Sequence, residues 1–114
     1  MKYLLFLSII LLFSCSIQKN TAPETDNFRG KELAFARNKG NCLACHAIED
    51  GEFPGNIGPP LKEIQKLFKS KQQLRQQIWD ATLYNPDTSM PPFGKNKILT
   101  EQEIDKIMDY IWRL

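Results

Sequence analysis

The chain has 114 residues, and its 15 Lys and Arg residues are nearly balanced by 13 Asp and Glu residues. This balance argues against a nucleic-acid-binding protein, which would need a strong basic excess. The length fits one domain, and a domain this small usually depends on a disulfide, a metal or a cofactor for its stability.

The first 14 residues have the pattern of an export signal. Lys2 is followed by an apolar run from Tyr3 to Phe13, interrupted only by Ser8. The run is too short to cross a bilayer as a helix, which takes ~20 residues, but it matches the apolar region of a signal peptide. We therefore predict a lipoprotein-type export signal over residues 1–14.

The signal leads into Leu12-Phe13-Ser14-Cys15, which resembles a bacterial lipobox, where the cysteine becomes the lipidated first residue of the mature protein. The alternative is an ordinary cleaved signal that happens to contain a cysteine, but the small Ser14 and the lack of an A-x-A site favour lipidation. We predict that Cys15 carries lipid and that the polar residues 15–26 form a flexible tether. A folded domain over residues 27–114 would then be lipid-anchored on the periplasmic side of a bacterial membrane.

Helical signals recur along this domain, whereas no strand-like alternation or internal repeat stands out. Asp26 or Asn27 is placed to cap a helix over residues 28–39, with Gly40 just past its end. A second, short helix is predicted in residues 59–68. Its apolar face consists of Leu61, Ile64, Leu67 and Phe68.

Two more helices follow with clearer start signals. Ser70 and Gln73 have the spacing of a capping box, and the third helix must end before Pro86. Its apolar side consists of Leu74, Ile78 and Ala81. In the last helix Thr100 and Glu103 form a second capping box. Leu99 and Ile104 are placed to form a hydrophobic staple. The helix also has an apolar stripe, which we interpret as core and which consists of Ile104, Ile107, Met108, Ile111 and Trp112.

Two long irregular stretches, residues 47–60 and 85–97, separate these helices. Loops this long in so small a domain are usually functional or wrapped around something.

The most specific motif is C-x-x-C-H at residues 42–46, which contains the only histidine of the chain. This is the attachment signature of c-type haem. Two thiols at this spacing can form thioethers with the two vinyl groups on one porphyrin edge, and the histidine is then held where its imidazole can bind the iron. A thioredoxin-like site would need a βαβ context, and a zinc site would need four ligands. We predict one covalently bound haem c on Cys42 and Cys45, with His46 as an axial iron ligand.

We expect a methionine to bind the opposite axial position of the iron, because the chain has no second histidine. Met108 lies in the apolar stripe of the last helix, where it is explained as core. Met90 lies in the loop TSMPPF, stiffened by two prolines, and we predict it as the ligand; a methionine filling a gap in a loop is the alternative. The carbonyl of Pro59 is expected to accept the other ring N–H of His46, although a simple turn would also explain this proline.

With both axial positions filled by protein, no substrate can bind the iron. The residues therefore predict an exported, membrane-tethered carrier that moves one electron at a time.

The order of N-terminal helix, C-x-x-C-H, Gly-Pro loop, Met loop and C-terminal helix resembles the class I cytochrome c family over residues 27–114. The resemblance implies an all-α class I cytochrome c fold, with about four short helices wrapped around one haem. It also implies a close crossing of the first and last helices at Gly30, against which Tyr110 or Trp112 packs.

More narrowly, three segments resemble SoxX, the monohaem subunit of SoxAX complexes: GKELAFARNKGNCLACH, GNIGPPL and YNPDTSMPPFGKNKILTEQEIDKIMDYIW. The resemblance implies a SoxA-type cytochrome subunit as partner, in a complex that joins thiosulfate oxidatively to a cysteine of a carrier protein. A downstream cytochrome would accept the electrons.

The chain itself would be a non-catalytic electron-transfer subunit, since haem and lipid take up its three cysteines. Many members of that family are soluble, so the predicted lipid anchor departs from their pattern. The alternative function is a general membrane-anchored cytochrome c that passes electrons to a terminal oxidase or reductase.

Overall fold

Helices account for the regular structure of residues 23–114, the part of the chain that the computed structural model describes. The α-helices are α1 (Pro23–Phe35), α2 (Ile64–Leu67), α3 (Lys71–Trp79) and α4 (Glu101–Ile111). Two 3₁₀ turns, Cys42–Ala44 and Ala81–Leu83, follow α1 and α3. The predicted all-α fold with about four short helices is therefore confirmed.

α1 and α4 cross in direct backbone contact at Gly30. A Cβ atom at this position would lie 2.2 Å from the carbonyl oxygen of Lys106 and 2.8 Å from Cβ of Tyr110. Only glycine leaves room for such an approach, so this crossing explains the glycine despite its low helix propensity. Tyr110 is the aromatic residue at the crossing, and its ring meets that of Phe35 edge to face at 6.1 Å between centroids.

The start of α1 differs from the sequence prediction. The helix already begins at Pro23, so neither Asp26 nor Asn27 is its cap, and that prediction was wrong. Proline suits the first turn of a helix because no N–H partner is needed there and its φ is already helical. The domain boundary at residue 27 stays a prediction.

The end of α1 also comes earlier than predicted, at Phe35 rather than Lys39. The backbone beyond the helix turns back on it, because the N–H of Gly40 donates to the carbonyl of Leu33 at 3.0 Å. Gly40 therefore lies past the helix end as expected, and the turn leads directly into the C-x-x-C-H segment.

α3 and α4 begin at side-chain caps. The Thr100 hydroxyl accepts the N–H of Glu103 at 3.2 Å, and the Glu103 carboxylate accepts the N–H of Thr100 at 2.9 Å, so the predicted capping box is complete. At α3 the Ser70 hydroxyl accepts the N–H of Gln73, but the Gln73 side chain accepts from Lys69 instead of Ser70. The second hydrogen bond of the predicted α3 capping box is therefore made with the N–H of Lys69, one residue before the predicted partner Ser70.

α2 is a single turn, shorter than the apolar pattern of residues 59–68 predicts. Glu63 precedes it with a left-handed φ of 50°, and its N–H donates to the carbonyl of Leu114 at 2.6 Å, which interrupts any longer helix. Ile64 is buried, but Leu67, on the same predicted apolar face, is 63% exposed. It lines the cavity described below.

Apolar contacts hold α3 against α4. Leu74 and Ile78 of α3 and the inner side of α4 are buried in one cluster, and each such side chain stabilises the fold by about 1.5–3 kcal/mol. The ion pair between Arg75 and Asp105 (2.6 Å) lies near the surface, where such pairs contribute at most about 1 kcal/mol. Burial of the apolar faces therefore determines how these helices pack.

Among residues 23–114, no helix combines the length and the apolar character needed to cross a bilayer. The predicted export signal over residues 1–14 and the predicted lipidation site Cys15 lie outside the described residues, and both stay predictions.

We predict that Gly30→Ala lowers the free energy of unfolding by about 2 kcal/mol, because the added Cβ meets a backbone carbonyl that cannot rotate away. The gain in helix propensity of about 1 kcal/mol offsets only part of this overpacking. Glu32→Ala, at an exposed position on the same helix, is the control and should change stability by less than about 0.5 kcal/mol. Denaturant unfolding measures both. Equal stability of the two variants would contradict the close crossing.

Candidate haem site

One tight turn presents the three residues of the C-x-x-C-H motif. The N–H groups of Cys45 and His46 both donate to the carbonyl of Cys42, at 3.2 and 2.9 Å. Asn41 enters the turn in a left-handed conformation with φ of 48°, which asparagine tolerates better than most residues. Both cysteines are free thiols, and both line the same cavity as His46.

That cavity has a volume of about 720 Å³, within the range of small-molecule and cofactor sites. Its wall is predominantly apolar and includes Leu61, Ile64, Leu67, Phe68, Leu74, Ile78, Phe93, Ile98, Leu99, Ile107 and Ile111. A flat apolar macrocycle fits such a lining. The fit also accounts for exposed apolar side chains, since Ile57 (72% exposed), Leu67 (63%) and Ile98 (42%) all line it.

The imidazole of His46 is held on two sides. Its Nδ1 lies 2.7 Å from the carbonyl oxygen of Pro59, and Nδ1–H donation to a carbonyl leaves the lone pair of Nε2 for a metal. The ring rests directly on Gly58, where a Cβ atom would come within 2.3 Å of Cε1. Gly58 is itself tied to the motif, because its N–H donates to the carbonyl of Cys45 at 2.8 Å.

Met90 lines the cavity, and Met108 is not among its lining residues. The N–H of Met90 donates to the hydroxyl of Thr88 at 3.1 Å, which fixes the backbone where the side chain departs. Its sulfur Sδ lies 3.7 Å from Nε2 of Gln77 on α3. His46 and Met90 are thus a nitrogen and a sulfur donor facing one apolar space, a donor pair suited to haem iron.

The loop that carries Met90 is attached to the end of α3. The N–H groups of Gly94 and Lys95 both donate to the carbonyl of Trp79, at 3.1 and 3.2 Å. Gly94 also lies flat against the Trp79 ring, so close that a Cβ atom would come within 2.1 Å of Cε3. These contacts fix the position of the loop relative to the end of α3.

A buried carboxylate strengthens this attachment. Asp80 is 4% exposed; it accepts hydrogen bonds from the hydroxyl and the N–H of Thr82 and lies 3.0 Å from Nζ of Lys95. The hydrogen bonds from Thr82, followed by that from Lys95, hold the pKa of Asp80 below its usual value. Asp80 is therefore ionised at neutral pH and keeps its partner on the loop.

Both motif thiols are half-buried. Burial raises the pKa of the Cys42 thiol to about 11, with a smaller contribution from the neighbouring Cys45. Cys42 is consequently protonated at neutral pH.

Sequence reasoning missed Gln77 and the Asp80–Lys95 pair. Gln77 lies between Leu74 and Ile78 on the apolar face of α3, and a polar residue in such a position is a signal that sequence analysis could have used. The Asp80–Lys95 pair left no such signal, because nothing in the sequence separates it from other surface charges.

We predict that Gly58→Ala displaces the His46 ring and breaks its contact with Pro59. The expected result is a loss of about 2 kcal/mol of unfolding free energy, as for other overpacked sites, together with a changed haem absorption spectrum.

Gly51→Ala is the matched control, because the Cβ added there meets the end of the flexible Leu43 side chain, which can rotate away. Neither glycine has a positive φ, so backbone strain does not distinguish the two variants. Unchanged spectra in both would contradict the packing of His46 on Gly58.

Comparisons with known proteins agree with this geometry. A family model described as Cytochrome c matches residues 28–114. The structure is similar to a chain in the crystal structure of SoxXA from P. pantotrophus, with a TM-score of 0.68 and 28% sequence identity, over 75% of this chain and 79% of that chain. An uncharacterized lipoprotein of Aquifex aeolicus (strain VF5) is 32% identical over 74 residues, which cover 64% of this chain and 36% of that protein. The matching region thus spans about a third of the length of this relative.

Proposed function

The chain belongs to the cytochrome c family, and on that premise we propose that it is the monohaem electron-transfer subunit of a SoxAX-like complex that conjugates thiosulfate to a carrier-protein cysteine. Its cofactor is one covalently bound haem c. The observation that carries the electron-transfer role is that His46 and Met90 line a single cavity beside two free thiols.

We assign each site residue one role. Cys42 and Cys45 would hold the haem through thioethers, and His46 would offer Nε2 to the iron while the carbonyl of Pro59 accepts Nδ1–H. Met90 would offer Sδ as the second protein ligand. When bound, haem supplies a one-electron Fe(III)/Fe(II) couple.

With His46 and Met90 both as ligands, the iron would offer a substrate no binding position, and the chain would carry electrons for a catalytic partner. In the proposed complex, an S–S bond forms between thiosulfate and a carrier cysteine thiol, which releases two electrons and one proton. The electrons leave one at a time through this chain to a downstream cytochrome. Similarity to the SoxXA structure at 28% identity supports a SoxA-type subunit as the partner.

We also propose the domain organisation predicted above: an export signal over residues 1–14, a tether over residues 15–26 anchored through lipid on Cys15, and the cytochrome domain over residues 27–114. This places the domain on the periplasmic side of a bacterial membrane. The resemblance to a relative named as a lipoprotein supports the anchor.

We expect Met90→Ala to abolish the weak near-infrared absorption band of the oxidised protein and to lower its midpoint potential, because thioether ligation favours the ferrous state. Met108→Ala is the matched control, since Met108 packs against the core but is not among the cavity-lining residues. It should retain the band. The reverse pattern would assign the iron to Met108 and overturn the proposed ligand set.

Reconstitution tests the proposed pathway. This chain, mixed with a SoxA-type subunit, the carrier protein and thiosulfate, should show reduction of its haem in the absorption spectrum. Omission of the SoxA-type subunit should abolish the reduction. Equal reduction by thiosulfate alone would refute the division of labour between the two cytochromes. Normal thiosulfate oxidation in a strain that lacks this chain, with loss of oxidase activity, would support the general carrier instead.

Lipid attachment predicts a change in partitioning. The mature wild-type protein should enter the detergent phase, and Cys15→Ala should release the protein to the soluble periplasmic fraction or leave it unprocessed. Mass spectrometry of the mature N-terminus provides the decisive measurement. A terminus at another residue, without added lipid mass, would disprove the anchor.

A further inference from the structure

A bulky aromatic side chain stands almost fully in solvent on the loop that follows the C-x-x-C-H motif. Phe53 is 96% exposed, and its backbone has a positive φ of 52°. A bulky residue rarely adopts this conformation, and the proline that follows it, Pro54, favours an extended backbone instead. Burial of the ring does not offset this strain, and strained backbone of this kind is concentrated at functional sites.

The loop around Phe53 is bonded to the turn that would hold the haem. The N–H of Gly55 donates to the carbonyl of Leu43 at 2.7 Å, and a Cβ atom at Gly55 would lie 1.9 Å from the carbonyl oxygen of Ala44. Ile57, further along the loop, is 72% exposed and lines the haem cavity. Phe53 and Ile57 are therefore exposed apolar side chains of one loop that lies directly against the C-x-x-C-H turn.

The charged side chains of this loop are all acidic. Residues 47–61 contain Glu49, Asp50 and Glu52 but no Lys or Arg, and the three carboxylates are exposed. Lys31 of α1 neutralises one of them, because it pairs with Asp50 at 3.1 Å. Two apolar side chains with a negative rim are complementary to an apolar pocket that is bordered by Lys or Arg.

We propose that Phe53 anchors the interface with the SoxA-type subunit, in an apolar pocket of that subunit whose rim is basic. The inference rests on the proposed function and names the surface through which that complex forms. Exposed aromatic side chains are typical of the few residues that supply most of the binding energy of an interface. A stable subunit contact fits such an anchor better than the small, transient encounter expected with a downstream cytochrome. The carboxylates would repel an anionic membrane surface.

The test measures the affinity of the haem-loaded chain for a SoxA-type subunit by isothermal titration calorimetry. Phe53→Ala should raise the dissociation constant about tenfold or more, because it removes the anchor, and should leave the haem absorption spectrum unchanged. Phe28→Ala is the matched control, since Phe28 is also an exposed phenylalanine (64%) but lies on α1. It should leave the dissociation constant unchanged. Glu52→Lys should weaken binding most at low ionic strength, where charges are least screened.

Phe53→Gly separates the effect on binding from the effect on folding. Glycine adopts a positive φ without strain, so this variant should unfold at a higher urea concentration than Phe53→Ala and bind the SoxA-type subunit equally weakly. A lower unfolding midpoint for Phe53→Gly than for Phe53→Ala would contradict the backbone strain on which the inference rests.

The remaining outcomes separate this inference from the proposed function. Equal dissociation constants for Phe53→Ala and the wild-type chain overturn the anchor and leave the proposed function standing. Unchanged affinity for the SoxA-type subunit, combined with loss of binding to vesicles of anionic lipid, would assign Phe53 to the membrane instead. A wild-type chain that does not bind the SoxA-type subunit at all overturns the proposed function and this inference together.

Discussion

The packing of residues 23–114 is organised around one cavity, because more than half of their buried apolar side chains also line it. The cavity has a volume of about 720 Å³ and lies among α2, α3, α4 and the Met90 loop. Ile57 and Leu67 line it and are largely exposed. Haem binding therefore completes the core, and folding and cofactor attachment are coupled in energy.

The remaining structure orients the two walls of this cavity. The crossing of α1 and α4 at Gly30 fixes the helix that contributes Ile107 and Ile111. The turn after α1 then leads straight to the C-x-x-C-H segment, so the thiols and His46 are positioned by a short, hydrogen-bonded path from the crossing. The close helix contact at Gly30 is thus linked through the chain to the segment that would hold the haem.

The opposite wall depends on α3. This short helix contributes Leu74 and Ile78 to the core, and its end binds the Met90 loop through Trp79 and Asp80. The two candidate axial ligands are consequently held by different segments: His46 by the turn at Cys42 and by its contacts with Gly58 and Pro59, and Met90 by a loop attached to the end of α3.

The sequence by itself determined what is local. The C-x-x-C-H motif and the Thr100–Glu103 capping box are recognised from spacing, and the capping box is complete in the structure. Met90 was chosen over Met108 because it lies in a proline-stiffened loop; Met90 lines the cavity, and its ligation of iron stays a prediction. The errors were both ends of α1, the reciprocal bond of the α3 capping box and the length of α2. At α2 the left-handed Glu63 and its bond to Leu114 override helix propensity. Only the tertiary structure decided that Gln77 meets Met90 and that Asp80 meets Lys95. Those contacts join segments more than ten residues apart, and their formation depends on how the loop closes over α3, which no local pattern encodes.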